Sequence, residues 1–378
     1  MKNRSISLPF ASSVVLFTRA VLMVLTVCLM PVQSASSQTV ALPTSAAPLI
    51  STNDWPMISI NDWSAYSDKF LTKEGRIVDD ANGNISHSEG QGYGLLLAVM
   101  AGRPADFELI WSFTQTEMLI RNDGLSSWKW DPAVRPHITD TNNASDGDML
   151  IAYALALAAK KWNNQDYRKS ATTIAGTLLK KQIIKQNDET ILLPAIRGFS
   201  LKERADGPVI NLSYWIFEAF PVLNELAPSP AWAALTKSGL SLLAKSRFVK
   251  AQLPTDWISV HKTPEPANGF PPEFSYNNLR IVLYLSRAGY GKEQLTQQIA
   301  KAMTDESGNV KLVNVTSNVK ITSLSEPGYR MIPQLAACIG SGVKLTADVR
   351  RFTPTQYYPS TLHLLALSYV AHNHPECL

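Results

Sequence analysis

Three carboxylates stand in sequence contexts that would set their protonation states. Glu89 opens a helix-like stretch whose next turns carry Tyr93 and the apolar run Leu95–Leu97. Apolar and aromatic neighbours favour the protonated form of a carboxyl group, which is the form that a general acid needs. Asp146 and Asp148 begin a second apolar helix pattern, where the free N–H groups of a first turn favour the ionised form. The sequence therefore predicts a protonated acid and an ionised one.

Two acids in such opposed environments are the pair that cleavage of a glycosidic bond requires. A carboxylate held by helix N–H groups can act as a base or accept hydrogen bonds from sugar hydroxyls. Asp146 and Asp148 also have a simpler explanation, because acidic residues in a first turn stabilise the helix dipole. Capping and catalysis therefore both stay open for these two aspartates.

Aromatic side chains are concentrated in polar loop segments. Trp128 and Trp130 lie in the stretch 122–131, and Asp256–Trp257 and Tyr357–Tyr358 add further rings beside polar residues. Flat apolar faces with polar rims fit the rings of sugars. Any single ring could instead fill a gap beneath a loop, so the prediction of a sugar-binding surface depends on their concentration.

The pattern along the chain is mainly helical. Ser88 is a candidate N-cap and Gly102 a candidate stop. Long irregular segments, 121–144, 186–210 and 248–274, separate the helices, and loops of this length usually bind a ligand. The helix pairs are regular enough for a toroid of helical hairpins. Apolar residues recur at spacings of three and four near 59–72, 88–102, 104–121, 145–162, 165–185, 211–226, 230–247, 275–289, 291–304, 327–338 and 357–372.

Charge and cysteine content narrow the classes of partner and cofactor. The formal net charge is +4 in 378 residues without a Lys/Arg cluster, so nucleic acid is not expected as a partner. Cys338 and Cys377 are too few for a disulfide framework, and the sequence leaves their pairing open. His372 and His374 could bind a metal ion with Cys377, but such a set at a frayed chain end is a weak zinc pattern. We predict neither a metal nor another cofactor.

The N-terminus has the features of a secretory signal peptide. A basic start precedes an apolar stretch over about 20–32 and small residues over 34–37. The uninterrupted apolar part is shorter than the roughly 20 residues that a membrane-spanning helix needs, although an uncleaved anchor is the alternative. We predict a signal peptide over 1–36, a connector over 37–51, one large domain over 52–374, and a periplasmic or secreted protein that is free of the membrane after cleavage.

Several motifs follow one another in a fixed order. They are Ser88-Glu89-Gly90-Gln91-Gly92-Tyr93-Gly94, the segment Asp123–Trp130, Ala144–Asp148 with its helix, Asp256–Trp257 and Ser275-Tyr276-Asn277-Asn278-Leu279-Arg280. This order resembles glycoside hydrolase family 8, and within it the periplasmic endoglucanases that accompany bacterial cellulose synthases. The resemblance covers about residues 54–370. It implies an all-α (α/α)6 barrel with an open cleft across one end, endo-hydrolysis of β-1,4-glucan with inversion of configuration, and no metal in the chemistry.

The resemblance also implies roles for individual residues. Glu89 matches the family's proton donor, and Asp146 matches a signature aspartate that acts as nucleophile or grips the sugar beside the scissile bond. His87 lies two residues before Glu89 and could orient it, although a plain loop histidine is the simpler interpretation. The residues expected to bind substrate are Asp148, from its place in the first turn of its helix, and the cleft-lining Trp130, Tyr276, Asn277, Arg280, Tyr357 and Tyr358.

Asn277 departs from the family pattern. Many members carry at this position the aspartate that activates the attacking water, and an amide is not a base at neutral pH. In a first interpretation, Asp146 or Asp148 takes over this role. In a second, a loop acid does so, and the candidates are Asp256, Glu265 and Glu273. In a third, hydrolysis is lost and glucan binding remains. We favour an active enzyme, because Glu89, Asp146 and the aromatic residues are otherwise in place.

The nature of the polysaccharide is a separate question. Cellulose or a soluble cellulosic chain is the expected substrate, and the cellulose synthase machinery is an expected partner. Chitosan, xylan and lichenan are alternatives, since relatives of this kind act on them. Outside enzymes, the alternative is a glucan-binding protein that helps to arrange nascent cellulose.

Overall fold

The computed structural model describes residues 57–248 and 250–378. The predicted signal peptide over 1–36 and the connector over 37–51 lie outside the described residues. The described residues contain eleven α-helices, which are α1 Ile60–Phe70, α2 Ser88–Met100, α3 Pro104–Phe113, α4 Ser145–Trp162, α5 Gln165–Lys181, α6 Phe220–Leu226, α7 Pro230–Lys245, α8 Ile281–Leu285, α9 Gln294–Met303, α10 Pro327–Ser341 and α11 Tyr357–Asn373.

Short antiparallel strands lie in the connections between these helices. They pair as β1–β2, as the hairpin β3–β4, in the order β5–β6–β7, and in the order β10–β9–β8. Most are too short to show an alternating sequence pattern, and most lie in segments predicted as loops. The strand Ile183–Gln186 instead begins inside the predicted helix 165–185, which ends as a helix at Lys181. The strands are β1 Ser86–His87, β2 Lys129–Trp130, β3 Ile183–Gln186, β4 Glu189–Leu192, β5 Val209–Ile210, β6 Ile258–Ser259, β7 Glu265–Pro266, β8 Glu273–Phe274, β9 Val310–Asn314 and β10 Val319–Leu324.

Helices α2, α4, α8 and α11 form the inner wall of a ring. Almost every residue of α2 and all five residues of α8 are buried, as expected of helices that are apolar on all sides. Helices such as α5 and α9 bury one face and expose the other. The ring closes because α11 packs against α2 and α2 against α4, because α4 and α8 both contact the 3₁₀ turn Phe217–Ala219, and because α10 packs against both α8 and α11. The predicted helical toroid is therefore confirmed.

Two predicted helices differ from the observed ones. The stretch 211–226 begins with two 3₁₀ turns, Leu212–Tyr214 and Phe217–Ala219, and only then continues as α6, whose start is marked by Pro221 at a first-turn position. The stretch 275–289 is divided into a 3₁₀ turn at Asn278–Arg280, the short α8 and a π-helical turn. Both irregular stretches border the cleft described below. None of the helices in the described ranges is long and apolar enough to cross a membrane.

A disulfide bond joins Cys338 in α10 to Cys377, one residue before the C-terminus. The pairing left open by the sequence is thus resolved, and the expectation of a frayed C-terminus was wrong. Both cysteines are buried, and the carbonyl group of Cys377 accepts a hydrogen bond of 3.0 Å from the N–H of Leu345. The bond therefore fixes the last turn of the chain against α10.

Replacing both cysteines with serine is expected to lower the free energy of unfolding. The crosslink closes a loop with a sequence separation of 39 residues, which corresponds to about 4 kcal/mol of lost unfolded-state entropy. Denaturant unfolding of the variant should report a decrease of about 3 to 4 kcal/mol. Wild-type protein unfolded with and without a reductant is the control, and equal stabilities in the two conditions would contradict the prediction.

Candidate active site

A cleft of about 610 Å³ opens at one end of the ring, where α2, α4 and α11 begin. Seven of the nine residues predicted as site residues line it, and two, Trp130 and Asp148, do not. The lining includes Asp79, His87, Ser88, Glu89, Trp128, Asp146, Tyr214, Tyr276, Asn277, Arg280, Tyr329, Tyr357 and Tyr358.

Two glycines allow the starts of α2 and α4 to approach closely. A Cβ atom on Gly147 would lie 2.6 Å from the backbone nitrogen of Glu89 and 2.1 Å from the hydroxyl oxygen of Ser88. A Cβ atom on Gly92, one turn deeper, would lie 2.5 Å from Cβ of Leu150. Any larger side chain would force the helices apart. Because Gly147 directly follows Asp146, this contact also brings the two predicted catalytic carboxylates to neighbouring positions.

Arg280 bridges these two carboxylates. Its Nη1 donates to Oε1 of Glu89, and its Nη2 donates to Oδ2 of Asp146 at 2.6 Å. Hydrogen bonds from neighbouring nitrogens of one planar guanidinium keep the two carboxylates within about 8 Å of each other. Arg280 is only 2% exposed, so its charge acts in a site that is largely shielded from water.

Asp146 is a buried carboxylate with a raised pKa. Burial and the nearby charge of Glu89 raise its pKa to about 6, although Arg280 and the N–H of Gly147 act in the opposite direction. The predicted lowering of this pKa by helix N–H groups was therefore wrong. Of the first-turn N–H groups of α4, that of Gly147 is the one that donates to this carboxylate, at 2.9 Å, and the side chain is almost completely removed from water.

The surroundings of Glu89 also differ from the apolar pocket that was expected. The side chain reaches into the cleft and is partly exposed, while the apolar residues that follow it in α2 point into the ring. The partner of its carboxylate is the cation of Arg280. Arg280, rather than an apolar wall, is thus the residue that positions this acid.

His87 and Asp79 hold the start of α2. The Nδ1 atom of His87 accepts the N–H of Gly90 at 2.9 Å, so His87, not the predicted Ser88, is the N-cap. Its Nε2 lies 3.5 Å from Oδ2 of Asp79. The interpretation of His87 as a plain loop histidine is therefore wrong. Sequence reasoning missed Asp79, since only the chain reversal from 79 to 85 brings it beside His87.

Asn277 lines the cleft with a buried carboxylate behind it. The amide nitrogen of Asn277 donates to Oδ2 of Asp256 at 3.2 Å. The other oxygen, Oδ1, accepts the N–H groups of Ser275 at 3.0 Å and Asn278 at 3.3 Å. Asp256 is 6% exposed, and burial raises its pKa to about 6 against these hydrogen bonds. This carboxylate is fixed in place and is separated from the cleft by the side chain of Asn277.

The other candidate acids lie away from the cleft. Glu265 is exposed in β7, and Glu273 lies in β8, with neither among the residues that line the cleft. Asp148 is completely buried. Its Oδ1 accepts the N–H of Ser126 at 2.7 Å and its Oδ2 accepts from the side chain of Asn143 at 2.9 Å. The structure therefore does not bring Asp148 to a substrate, because both oxygens anchor the loop that leads to Trp128.

Replacing Asp148 with alanine is expected to reduce stability more than turnover. The buried N–H of Ser126 and one N–H of Asn143 would lose their acceptor, at a cost of about 2 to 3 kcal/mol. The free energy of unfolding should fall by this amount, while kcat per folded molecule stays within about threefold of the wild type, since the carboxylate does not face the cleft. A large loss of kcat at unchanged stability would contradict this assignment.

The aromatic residues divide into cleft walls and structural packing. The ring of Trp130 is stacked on His137 at a centroid distance of 3.9 Å and also contacts Arg76, so its faces are occupied. Trp128, two residues earlier, lines the cleft instead. The assignment of Trp130 to the cleft wall is not supported by the structure, because Trp130 is not among the residues that line the cleft and its ring packs on His137.

A group of tyrosines forms the opposite wall. Tyr276 is 47% exposed, and its ring lies 6.3 Å from that of Tyr329, which lies 6.2 Å from that of Tyr358. The hydroxyl group of Tyr358 donates to the carbonyl group of Tyr276 at 2.9 Å. Tyr357 is buried at the base of the cleft beside His87. The cleft thus combines carboxylates, one shielded cation and aromatic faces, which suits a sugar chain.

A histidine metal site has no support in the described residues. Within them, no group of three or more His, Cys, Asp and Glu residues could hold a metal ion. Cys377, the proposed third ligand beside His372 and His374, is bonded to Cys338.

Comparisons with known proteins identify one family. The sequence model described as "Glycosyl hydrolases family 8" matches residues 30–372. A "Probable endoglucanase" of Novacetimonas hansenii is 33% identical over 302 residues, covering 79% of this chain and 86% of that protein. The endo-β-1,4-glucanase CMCax from Acetobacter xylinum matches with a TM-score of 0.73 and 31% identity, covering 82% of this chain and 97% of that one. An endoglucanase structure from Komagataeibacter sucrofermentans matches with a TM-score of 0.73 and 34% identity, covering 83% and 98%.

Proposed function

We propose, from the premise that this chain belongs to family 8 of the glycosyl hydrolases, that it is an endo-β-1,4-glucanase whose catalytic acid is Glu89. The observation that carries the proposal is the shared guanidinium of Arg280, which places Glu89 and Asp146 side by side in the cleft. The three relatives described above are named probable endoglucanase, endo-β-1,4-glucanase and endoglucanase. The substrate is cellulose or a soluble cellulosic chain.

Glu89, Asp146 and Arg280, which form the bridge, each have a role in bond cleavage. Glu89 protonates the oxygen of the departing glucose unit. Asp146, as an anion, accepts hydrogen bonds from hydroxyl groups of the sugar on the other side of the scissile bond. Its charge also stabilises the positive charge that develops in an oxocarbenium-like transition state. Arg280 keeps both carboxylates in position. The tyrosines at 276 and 358 and the indole of Trp128 bind neighbouring sugar rings, with Tyr357 closing the base of the cleft.

The same bridge predicts how the rate depends on pH. Because the pKa of Asp146 is raised to about 6, this carboxylate is anionic above about pH 6 and neutral below it. We expect kcat to fall as the pH decreases through about 6, while the protein stays folded. Initial rates measured between pH 4 and 8, with intrinsic fluorescence as the control for folding, test this. A constant kcat from pH 7 to pH 4 would contradict a requirement for anionic Asp146.

We also propose that the protein is exported and that it acts beside the cellulose synthase machinery. The basic and apolar N-terminal stretch is a signal peptide over 1–36, the connector follows over 37–51, and the catalytic domain extends over 52–374. The buried disulfide between Cys338 and Cys377 supports an oxidising compartment, the periplasm or the exterior. The cellulose synthase machinery is the proposed partner, on the basis of the resemblance to endoglucanases that accompany such synthases.

Endo-hydrolysis can be tested directly on carboxymethylcellulose. We expect the purified protein to lower the viscosity of the solution well before the number of reducing ends becomes large, as cleavage at internal bonds requires. Xylan, chitosan and lichenan under the same conditions test the alternative substrates. Retardation in a gel that contains cellulose without any new reducing ends would instead favour a non-hydrolytic glucan-binding protein.

A further inference from the structure

Within the described part of the chain, the cleft lacks an evident carboxylate for activating water. Inversion requires a base on the face of the sugar opposite the acid, with the two carboxyl groups roughly 6.5 to 9.5 Å apart and room for a water molecule between them. Among the described residues, the carboxylates that line the cleft are Asp79, Glu89 and Asp146. Asp79 is engaged by His87 and by the N–H of Ala81. Asp146 is engaged by Arg280, on the same guanidinium as the acid.

Asn277 and Asp256 together have the required groups. An aspartate that is ionised only accepts hydrogen bonds, so the amide nitrogen of Asn277 is the atom that faces Asp256. The amide oxygen of Asn277 is then the atom left for the cleft, which this residue lines. A water molecule on that oxygen would donate a hydrogen bond to it. The side-chain amide of Asn277 would thus connect a water molecule in the cleft to the carboxylate of Asp256, which lies behind Asn277.

We propose that Asn277 relays a proton from the attacking water to Asp256, so that an amide and a carboxylate share the work of the missing base. This inference rests on the proposed function. One O–H bond of the water breaks and a hydrogen attaches to the amide oxygen of Asn277, while an N–H hydrogen of the same amide passes to Oδ2 of Asp256. The water oxygen bonds to the anomeric carbon, and the departing oxygen takes the proton of Glu89.

The starting state returns without another reactant. After the products leave, the imidic O–H group of Asn277 loses its proton, which water in the cleft carries to the carboxylate of Glu89, and Asp256 returns its proton to the amide nitrogen. The pKa of Asp256, raised by burial to about 6, suits this task, since a base acts best when its pKa is near the working pH. Its three hydrogen bonds keep it in place for the transfer.

A simpler role for Asp256 must be separated from the relay. Its Oδ1 accepts the N–H groups of Ser275 and Asn278, so it also holds the turn that leads to Arg280. Asp256→Asn keeps an oxygen for those two N–H groups but turns an NH₂ group toward Asn277. This substitution therefore preserves the structural role and removes the proton acceptor.

The decisive experiment compares D256N with the exchange variant D256N/N277D and with the wild type, using cellopentaose. We expect kcat of D256N to be at least a hundredfold lower, since general base help is worth about 10² to 10⁴. The exchange variant should return to within about tenfold of the wild type, because its new carboxylate at position 277 would contact water directly and accept a hydrogen bond from the new amide at position 256.

Azide gives a readout that a structural role would not change. Azide attacks without losing a proton, so it should restore turnover of D256N and produce a glycosyl azide of inverted, α configuration, visible by NMR. A D256N protein with kcat near the wild type, an exchange variant no better than D256N, or no azide product would overturn the relay. The relay would then fail alone, since the proposed function depends on the wild type cleaving glucan and on E89Q failing to do so.

Discussion

Replacing Glu89 with glutamine lowers kcat on carboxymethylcellulose by on the order of a thousandfold, because general acid help is worth about 10² to 10⁴. Glutamine has the same shape but no acidic proton for the departing oxygen. Its amide oxygen can still accept the hydrogen bond that Arg280 now gives to Glu89. We therefore expect the melting temperature of the variant to stay within a few degrees of the wild type.

The leaving group of the substrate provides the sharper measurement. A dinitrophenolate departs without being protonated, so the E89Q protein should cleave an aryl β-cellotrioside with this leaving group at a rate much closer to that of the wild type. A general loss of folding or of substrate binding would lower the rate on both substrates equally. Near-normal turnover of carboxymethylcellulose by E89Q would remove Glu89 from the mechanism.

The sequence could predict the helical toroid and most of the cleft residues for a simple physical reason. The inner helices are apolar over long stretches, and the motif that carries Glu89 forms the start of one of them, so its position follows from local sequence. The starts of α2, α4 and α11 meet at one end of the ring. Residues at such starts are therefore brought together by the fold itself.

What the sequence could not predict depends on contacts between distant segments. Asp148 shares a helix turn with Asp146, yet the loop at Ser126 covers it. Trp128 lines the cleft, whereas the ring of Trp130, two residues later, stacks on His137. Asp79 enters the cleft through a chain reversal without a distinctive motif.

The surroundings of the two acids were predicted from the wrong neighbours for the same reason. Helix N–H groups and apolar turns are local features, and both would act as expected if the helix starts were isolated. Arg280 comes from a segment 134 residues after Asp146, and its guanidinium changes the surroundings of both acids. The burial that raises the pKa of Asp146 likewise comes from the packing of α4 against α2.

Asp146→Asn is expected to lower kcat at least a hundredfold without unfolding the protein. The two oxygens of Asp146 accept from different donors, the N–H of Gly147 and Nη2 of Arg280. An asparagine has one oxygen, so one of these donors would face an NH₂ group, and the charge that balances the guanidinium would be lost. Arg280 would then shift or pair with Glu89 alone, and the transition state would lose a nearby anion.

Asp148→Ala is the matched comparison for this variant, because it removes a carboxylate from the same helix two residues later. We expect both variants to lose stability, because each removes a buried carboxylate that accepts hydrogen bonds, but we expect only D146N to lose turnover per folded molecule. Measuring kcat and the denaturation midpoint for both proteins distinguishes a cleft carboxylate from a buried anchor. Wild-type turnover in D146N would mean that the bridge through Arg280 is structural, since the charge that it positions could then be removed without effect on the reaction.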